Sequence, residues 1–144
     1  MENPSLWTTT RQVVAIKSGK LTSRELLEIT IDRIKRLNPA INAVITTDFD
    51  RARRLADDFD KAHRAGASSG LLAGIPVTIK DALETEGIRS TGGAKVLEEN
   101  VPDRDAPVVR SIKEEGAIVI GKTNLPLWSG DAQTYNDIFG TTNN

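Results

Sequence analysis

The sequence has no cysteine and only one histidine, His63. Without cysteine the chain can form no disulfide and can supply no thiolate for catalysis or metal binding. With one histidine, only carboxylates remain as further metal ligands, so His63 is interpreted as a surface residue or a partner of a helix dipole. A catalytic triad that depends on histidine is therefore hard to build from these residues.

Strong charge of one sign and long apolar runs are also absent. The 19 basic and 20 acidic residues are interspersed and give a net charge of -1. This balance provides no basic stripe for a phosphate backbone and no polybasic patch for a membrane surface. No apolar run approaches a membrane span, and the first seven residues lack the basic start and apolar core of a secretory signal. The sequence therefore predicts no nucleic-acid partner, no membrane partner and a cytoplasmic location.

The composition is that of one ordinary globular domain, with 144 residues, of which 38% are hydrophobic and 27% charged. Apolar periodicity predicts three helices in the first part, over residues 8–17, 22–38 and 48–65. Thr22 and Glu25 have the spacing of a capping box, and Pro39 is expected to end the second helix. The third helix is predicted to bury a stripe made of Ala52, Leu55, Ala56, Phe59 and Ala62.

The second part of the chain changes in character. Residues 67–70 form a small-residue turn, which divides a helical lead-in (1–66) from the start of an α/β core (71–144) within a single portion of one domain. A strand is predicted near residues 75–80, a helix from Pro107 to Glu115 and a buried strand over 117–120. The predicted fold class is α/β, with N-terminal helices that lead into part of a mixed β-sheet with flanking helices.

Residues 116–123 satisfy the letter pattern of a P-loop, including Lys122 and Thr123. A P-loop needs a strand before its first glycine and a helix after its lysine, so that backbone amides face the phosphates. This segment has the reverse order, because a helix precedes it and a strand fills its middle. A stand-alone nucleotide-binding module is therefore the weakest of the functions considered.

Lys80 stands at the end of the short apolar run 75–79. In a strand, Ile75, Val77 and Ile79 would share one face, while Thr78 and Lys80 share the other. One interpretation is that Lys80 and Asp81 mark where a buried strand meets water. The other is that dry surroundings keep its amine neutral and make it a usable base.

The chain resembles the amidase signature family. The resemblance depends on matching blocks in the family's order and approximate spacing, at residues 74–81, 90–93, 105–109, 116–124 and 136–144. It extends over nearly the whole chain, and it is most specific from Gly74 onward. It implies hydrolysis of a small-molecule carboxylic amide to an acid and ammonia or an amine through an acyl-enzyme, with no cofactor and no metal.

The resemblance implies that Lys80 is the base of a Ser-(cis-Ser)-Lys triad. It also implies that the loop with Ser129, Gly130 and Asp131 borders the substrate pocket; the alternative is a surface loop whose Trp128 is tucked into the core. A serine hydroxyl needs a neighbouring base, and a neutral lysine can take that role.

The family's Gly/Ser-rich stretch, with both catalytic serines, lies downstream of the segment that ends at Asn144. Ser68 and Ser69 belong to an ordinary turn, while Ser90 and Ser129 lack the glycines that would form an oxyanion hole. We therefore expect the isolated chain to have a base without a nucleophile. The alternative function is an inactive truncated or split chain that pairs with the complementary portion or with a second copy.

Overall fold

The structure is a computed structural model that describes residues 3–143. Its helices are α1 (Thr9–Lys17), α2 (Ser23–Ile41), α3 (Phe49–Arg64) and α4 (Pro107–Glu114), and its strands are β1 (Val44–Thr47), β2 (Pro76–Lys80), β3 (Ile118–Thr123), β4 (Tyr135–Asn136) and β5 (Gly140–Thr141). Short 3₁₀ turns lie at Pro4–Leu6, Lys95–Leu97 and Leu127–Ser129. Three residues lie outside the described range. Met1 and Glu2 belong to the first seven residues, which were assessed for a secretory signal, and Asn144 ends the matching block 136–144.

The main sheet has three strands in the order β1-β3-β2. β2 runs parallel to β3, and β1 runs antiparallel to it, so the sheet is mixed. The segment β2-α4-β3 is the βαβ unit that the sequence predicts, since a parallel pair needs a crossover of this kind. The predicted α/β fold class is confirmed.

Helices cover both faces of the central strand β3. α2 and α3 pack on one face through a cluster made of Leu27, Ile31, Ala52, Ala56, Ile118 and Ile120. α4 packs on the other face through Ile79, Ile88, Val109 and Val119. The lead-in and the α/β part therefore share one sheet and one set of cores, and the division between 1–66 and 71–144 stays a prediction about how the sequence is organised.

The second helix ends later than the sequence predicts. Pro39 lies inside α2, which continues to Ile41 and ends at Asn42 in the left-handed conformation, with φ 56°. A proline this close to the end removes only one backbone hydrogen bond. The Asn38 side chain stabilises the exit, because its Oδ1 accepts hydrogen bonds from the amides of Ala43 and Val44 at 2.9 and 2.8 Å.

The capping box of Thr22 and Glu25 is confirmed at the start of α2. The predicted buried stripe of α3 is partly wrong, because Leu55 (43% exposed) and Ala62 are exposed whereas Asp60 is buried. The Asp60 carboxylate accepts hydrogen bonds from the backbone amides of Ser23 and Arg24 at 2.9 and 3.0 Å. α3 therefore supplies a second cap for α2, and this cap needs a polar side chain at a buried position.

No helix within residues 3–143 has both the length and the apolar character needed to cross a lipid bilayer. The cytoplasmic location stays a prediction.

Candidate active site at the carboxyl ends of β2 and β3

The candidate site lies where the parallel strands β2 and β3 end side by side, with Lys80 opposite Thr123. In open α/β sheets, ligands bind in the crevice beyond the carboxyl ends of the parallel strands. The turn after β2 and the loop after β3 both begin here. The sequence-predicted site residues belong to these two segments.

Lys80 is the last residue of β2, and its side chain is exposed, like that of Thr78. Ile79 between them is buried, so the predicted alternation of faces is confirmed for residues 78–80. Ile75 lies before β2 and packs in a different cluster from Ile79, so its place on the same face is not confirmed. Within residues 3–143 Lys80 is exposed, as the interpretation of a strand end that meets water expects. β2 is an edge strand, and within the described part of the chain nothing covers the end of its Thr78 and Lys80 face.

Asp81 follows Lys80 and is buried, although its position after a strand end suggested contact with water. Its Oδ2 accepts hydrogen bonds from the amide and the hydroxyl of Thr91 at 3.1 and 2.5 Å. Its backbone carbonyl accepts a hydrogen bond from the Gly92 amide at 3.1 Å. Three hydrogen bonds thus join the end of β2 to residues 91–92.

Lys122 is the site residue that the sequence interpretation missed. Its side chain is fully buried, and its Nζ donates hydrogen bonds of 2.6 Å to the Leu83 carbonyl and to Ser90 Oγ. Asp81 Oδ1 lies 3.7 Å from the same Nζ. Burial lowers the pKa of Lys122 to about 8, against the opposing attraction of Asp81.

The position of Lys122 in β3 also decides whether residues 116–123 form a P-loop. β3 runs through the middle of the pattern and includes Gly121, Lys122 and Thr123, while α4 precedes the pattern. No backbone loop is available there to hold a phosphate, and the lysine is used inside the fold. The rejection of a P-loop is confirmed.

The loop after β3 carries Ser129, Gly130 and Asp131, all of which are exposed. It is tied to the β2 turn, because the Trp128 amide donates a hydrogen bond to the Gly92 carbonyl at 2.9 Å. Trp128 is 59% exposed, so the idea that it is tucked into the core is wrong. Its ring instead lies over Gly92, where a Cβ atom would come within 2.8 Å of it.

The three predicted loop residues line two different cavities. One, of about 270 Å³, is lined by Asp81, Ser90 and Gly92 together with Trp128 and Ser129. The other, of about 510 Å³, is lined by residues that include Gly130 and Asp131. Lys80 lines neither of these cavities. The structure therefore brings Ser129 close to the Asp81 turn and sets Lys80 on the opposite face of the same strand end.

A small hairpin of β4 and β5 holds the end of the loop against the sheet. The buried Asn136 donates a hydrogen bond to Asn124 Oδ1 at 2.7 Å, and Asn124 in turn donates to the Gly140 carbonyl at 3.1 Å. Asn42 at the end of α2 donates to the carbonyls of Phe139 and Thr141 at 2.7 and 3.0 Å. The loop thus has fixed ends and an exposed middle.

A family model described as Amidase matches residues 25–144. This chain belongs to the amidase family. The matched range includes α2 from Glu25 onward, the three-stranded sheet and both segments of the candidate site. The predicted family is therefore confirmed.

Individual relatives agree with this assignment. The chain is 38% identical to the indoleacetamide hydrolase of Bradyrhizobium diazoefficiens over 138 residues, which cover 96% of this chain and 26% of that protein. It is 42% identical to a glutamyl-tRNA(Gln) amidotransferase subunit of Clostridium acetobutylicum over 130 residues, which cover 90% of this chain and 27% of that protein. The chain thus spans about a quarter of the length of these curated relatives.

The fold is likewise that of an amidase. A bacterial aryl acylamidase, described as a member of the amidase signature enzyme family, superposes with a TM-score of 0.89 at 31% identity. The superposition covers 98% of this chain and 30% of that one. The mixed sheet and its flanking helices are therefore an arrangement that amidase signature enzymes share.

Proposed function

We propose that this chain supplies the lysine side of the active site of an amide hydrolase, with Lys80 as the base. The observation that carries the proposal is the position of Lys80 at the carboxyl end of β2, within the residues that the family model matches. The turn after Lys80 is fixed by three hydrogen bonds from residues 91–92 to Asp81. A base held on a rigid strand end meets the geometric demand of proton transfer.

The reaction follows the chemistry that the family resemblance implies. The Lys80 amine takes the proton of a nucleophilic serine through a bridging cis-serine, and the serine oxygen forms a bond to the amide carbonyl carbon. The C–N bond then breaks, ammonia or an amine leaves with a proton, and water releases the acid from the acyl-enzyme. We expect both serines to come from sequence that the family places after Asn144.

An exposed Lys80 fits this proposal when further protein covers its side of β2. Desolvation disfavours the ammonium form of a lysine and so makes its amine available as a base. The segment that brings the serines would at the same time remove water from Lys80. We therefore expect the 144-residue chain alone to show little or no amide turnover.

Ser129, Gly130 and Asp131 are proposed to border the substrate pocket. Support comes from the hydrogen bond between Trp128 and Gly92, which places the loop next to the turn that follows Lys80. The exposed middle of the loop leaves these residues free to contact a small-molecule amide. The proposed chemistry requires no cofactor.

The test replaces Lys80 in the full protein, with any residues that its gene encodes beyond Asn144. K80A should lower kcat for ammonia release from a simple amide by at least about 100-fold, since general-base catalysis is worth that much or more. K35A, at an exposed position on α2, is the matched control and should keep the wild-type rate. Wild-type turnover by K80A would overturn the proposal.

A second candidate function, as a chain that pairs with a complementary chain, is favoured by the free edge of β2. β2 pairs only with β3 among the described residues, so its other edge offers unpaired backbone groups. A groove of about 470 Å³ beside it is lined by residues that include Pro76, Thr78, Leu37 and Ile41. One of the relatives is named as part of a multi-chain amidotransferase.

Size-exclusion chromatography of the 144-residue chain separates this alternative from a self-sufficient domain. Pairing predicts a dimer or larger species whose share rises with concentration. It also predicts that T78P, which removes a donor from β2, changes that share. A monomer at all concentrations, with a single cooperative unfolding transition, would argue against pairing.

A further inference from the structure

We infer that Lys122 is a positioning residue that fixes the turn after Lys80 and, through Asp81, the loop that carries Ser129. The inference rests on the proposed amidase function, because it concerns the same strand end. Lys122 contacts neither cavity of the candidate site. It acts through the residues that do line a cavity.

The polar contacts of Lys122 Nζ with the described residues lead to the segment that follows β2. The ammonium donates to the Leu83 carbonyl and to Ser90 Oγ, each at 2.6 Å, and it faces Asp81 Oδ1 at 3.7 Å. Ser90 Oγ in turn donates to the Ile88 carbonyl at 2.9 Å. One side chain of β3 therefore holds both ends of residues 81–90.

The pairing of β2 with β3 explains how a lysine of the central strand reaches this segment. The register shifts between Val77 and Thr78, after which Ile79 pairs with Lys122. Cross-strand partners project to the same face, so Lys122 joins Ile79 on the side of α4. Without the shift, strict alternation from Ile118 and Ile120 would direct Lys122 toward α2 and α3.

The contacts continue from Asp81 to the loop. Asp81 Oδ2 accepts from the amide and hydroxyl of Thr91, and Thr91 Oγ1 accepts from the Gly93 amide at 3.0 Å. Gly92 between them bonds both Asp81 and Trp128 through its backbone. The position of Ser129 therefore depends on the ion pair between Lys122 and Asp81 and on the hydrogen bonds that continue from Asp81 to residues 91–93 and Trp128.

Lys122 does not act as a base itself in this arrangement. Its side chain has no exposed surface, and two of its protons are donated to fixed acceptors. A group that exchanges a proton with substrate must come within hydrogen-bond reach of it. Holding the segment beside Lys80 is the role that the contacts allow.

The test compares K122M with L27A in the protein as its gene encodes it. K122M keeps the apolar stem of the side chain and removes the ammonium group. In this variant we expect the rate of amide hydrogen exchange to rise at least tenfold in residues 81–93 and 127–131, and to stay unchanged in α2 and α3. L27A destabilises the core on the other face of the sheet, where Leu27 is fully buried. It should raise exchange throughout the domain without favouring those two segments.

Kinetics supply the second readout. K122M should lower kcat at least tenfold per folded molecule, whereas L27A should leave kcat per folded molecule unchanged. If K122M does not fold, D81N/K122M removes both charges and gives the same test of local exchange. Wild-type exchange in 81–93 and 127–131 in whichever variant folds would overturn the inference. The proposed function has a separate test. Amide turnover that survives in K80A would overturn it, whereas hydrogen exchange in K122M does not bear on it.

Discussion

Lys80 and Lys122 lie on adjacent strands at the same end of the sheet, but their surroundings are opposite. Lys80 is exposed, whereas the side chain of Lys122 has no contact with solvent. Burial lowers the pKa of Lys122 to about 8, while Asp81, and more weakly Asp105 and Glu84, favour its charged form. A small change in pH near 8 therefore alters the charge inside the fold.

The stability of the protein should depend on this titration. The pKa of Lys122 is about 8 in the folded chain and 10.5 as a free side chain, so between these values the unfolded state holds a proton that the folded state does not. Stability then rises with pH in this window. We expect the unfolding free energy of the wild type, minus that of K122M, to increase by on the order of 2–3 kcal/mol from pH 8 to 10.5.

Urea denaturation at several pH values across this window measures the difference. K122M is the control, because it lacks the titrating group but shares all other ionisable residues. A difference that stays flat or falls as the pH rises would contradict the assigned pKa.

At the scale of elements, α2 and α3 are joined by polar contacts as well as by their apolar stripes. Asp60 of α3 accepts two backbone hydrogen bonds at the start of α2, and Ser23 Oγ donates to the Gly74 carbonyl at 2.6 Å. Glu28 of α2 binds Arg53 of α3 through two nitrogen atoms, at 2.8 and 3.1 Å. The start of α2, the end of α3 and the entry to β2 thus meet at one place.

We expect D60A to lower the unfolding free energy by about 2–4 kcal/mol, because it leaves one buried and one partly buried backbone donor without an acceptor. D58A is the matched control on the same helix. The Asp58 side chain is 73% exposed and lies 3.6 Å from Lys61, so its loss should change stability by no more than about 0.5 kcal/mol. Chemical denaturation of both variants gives the comparison, and equal effects would contradict the capping role of Asp60.

Features that depend on neighbours in sequence could be predicted, and features that depend on distant partners could not. The capping box of Thr22 and Glu25 needs only three residues of spacing, and it is confirmed. Asp60 caps a residue 37 positions away, so no local pattern points to its burial. Lys122 reaches its segment only because the register of two strands shifts, and periodicity along one strand cannot reveal such a shift.

Some features of the candidate site could likewise be predicted from the sequence, and others could not. The end of β2 at Lys80 and the parallel β2-α4-β3 unit follow from apolar runs and from the helix start at Pro107. The exposure of Lys80 and the position of Trp128 over Gly92 depend on which surfaces other segments cover. Those surfaces are set by tertiary packing, which the sequence pattern does not encode locally.

At the scale of the whole molecule, β1 connects the helical lead-in to the α/β part through its pairing with β3. Gly121 of β3 lies so near the backbone of Thr46 that a Cβ atom would clash with its carbonyl oxygen. A shared sheet of this kind makes independent unfolding of the two parts unfavourable, since each would expose the core of the other. We therefore expect the described residues to unfold as one cooperative unit.

The two tryptophans, Trp7 and Trp128, allow this to be tested because they lie in different parts of the chain. W128F leaves only the signal of the lead-in, and W7F leaves only that of the loop after β3. We expect fluorescence of each variant and far-UV circular dichroism to give coincident urea transitions within that variant. A fluorescence transition separated from the dichroism transition would instead support the division at residues 67–70.

The central strand of the sheet, β3, comes after both of its neighbours in the sequence. While the chain is being synthesised, β1 and β2 have no partner until residues 118–123 leave the ribosome, because neither pairs with the other. The apolar faces of α2 and α3, which pack against Ile118 and Ile120 in the folded chain, stay exposed for the same period. An arrest of translation before β3 would thus release a chain with two unpaired strands and an uncovered helix pair, which is a form prone to aggregation.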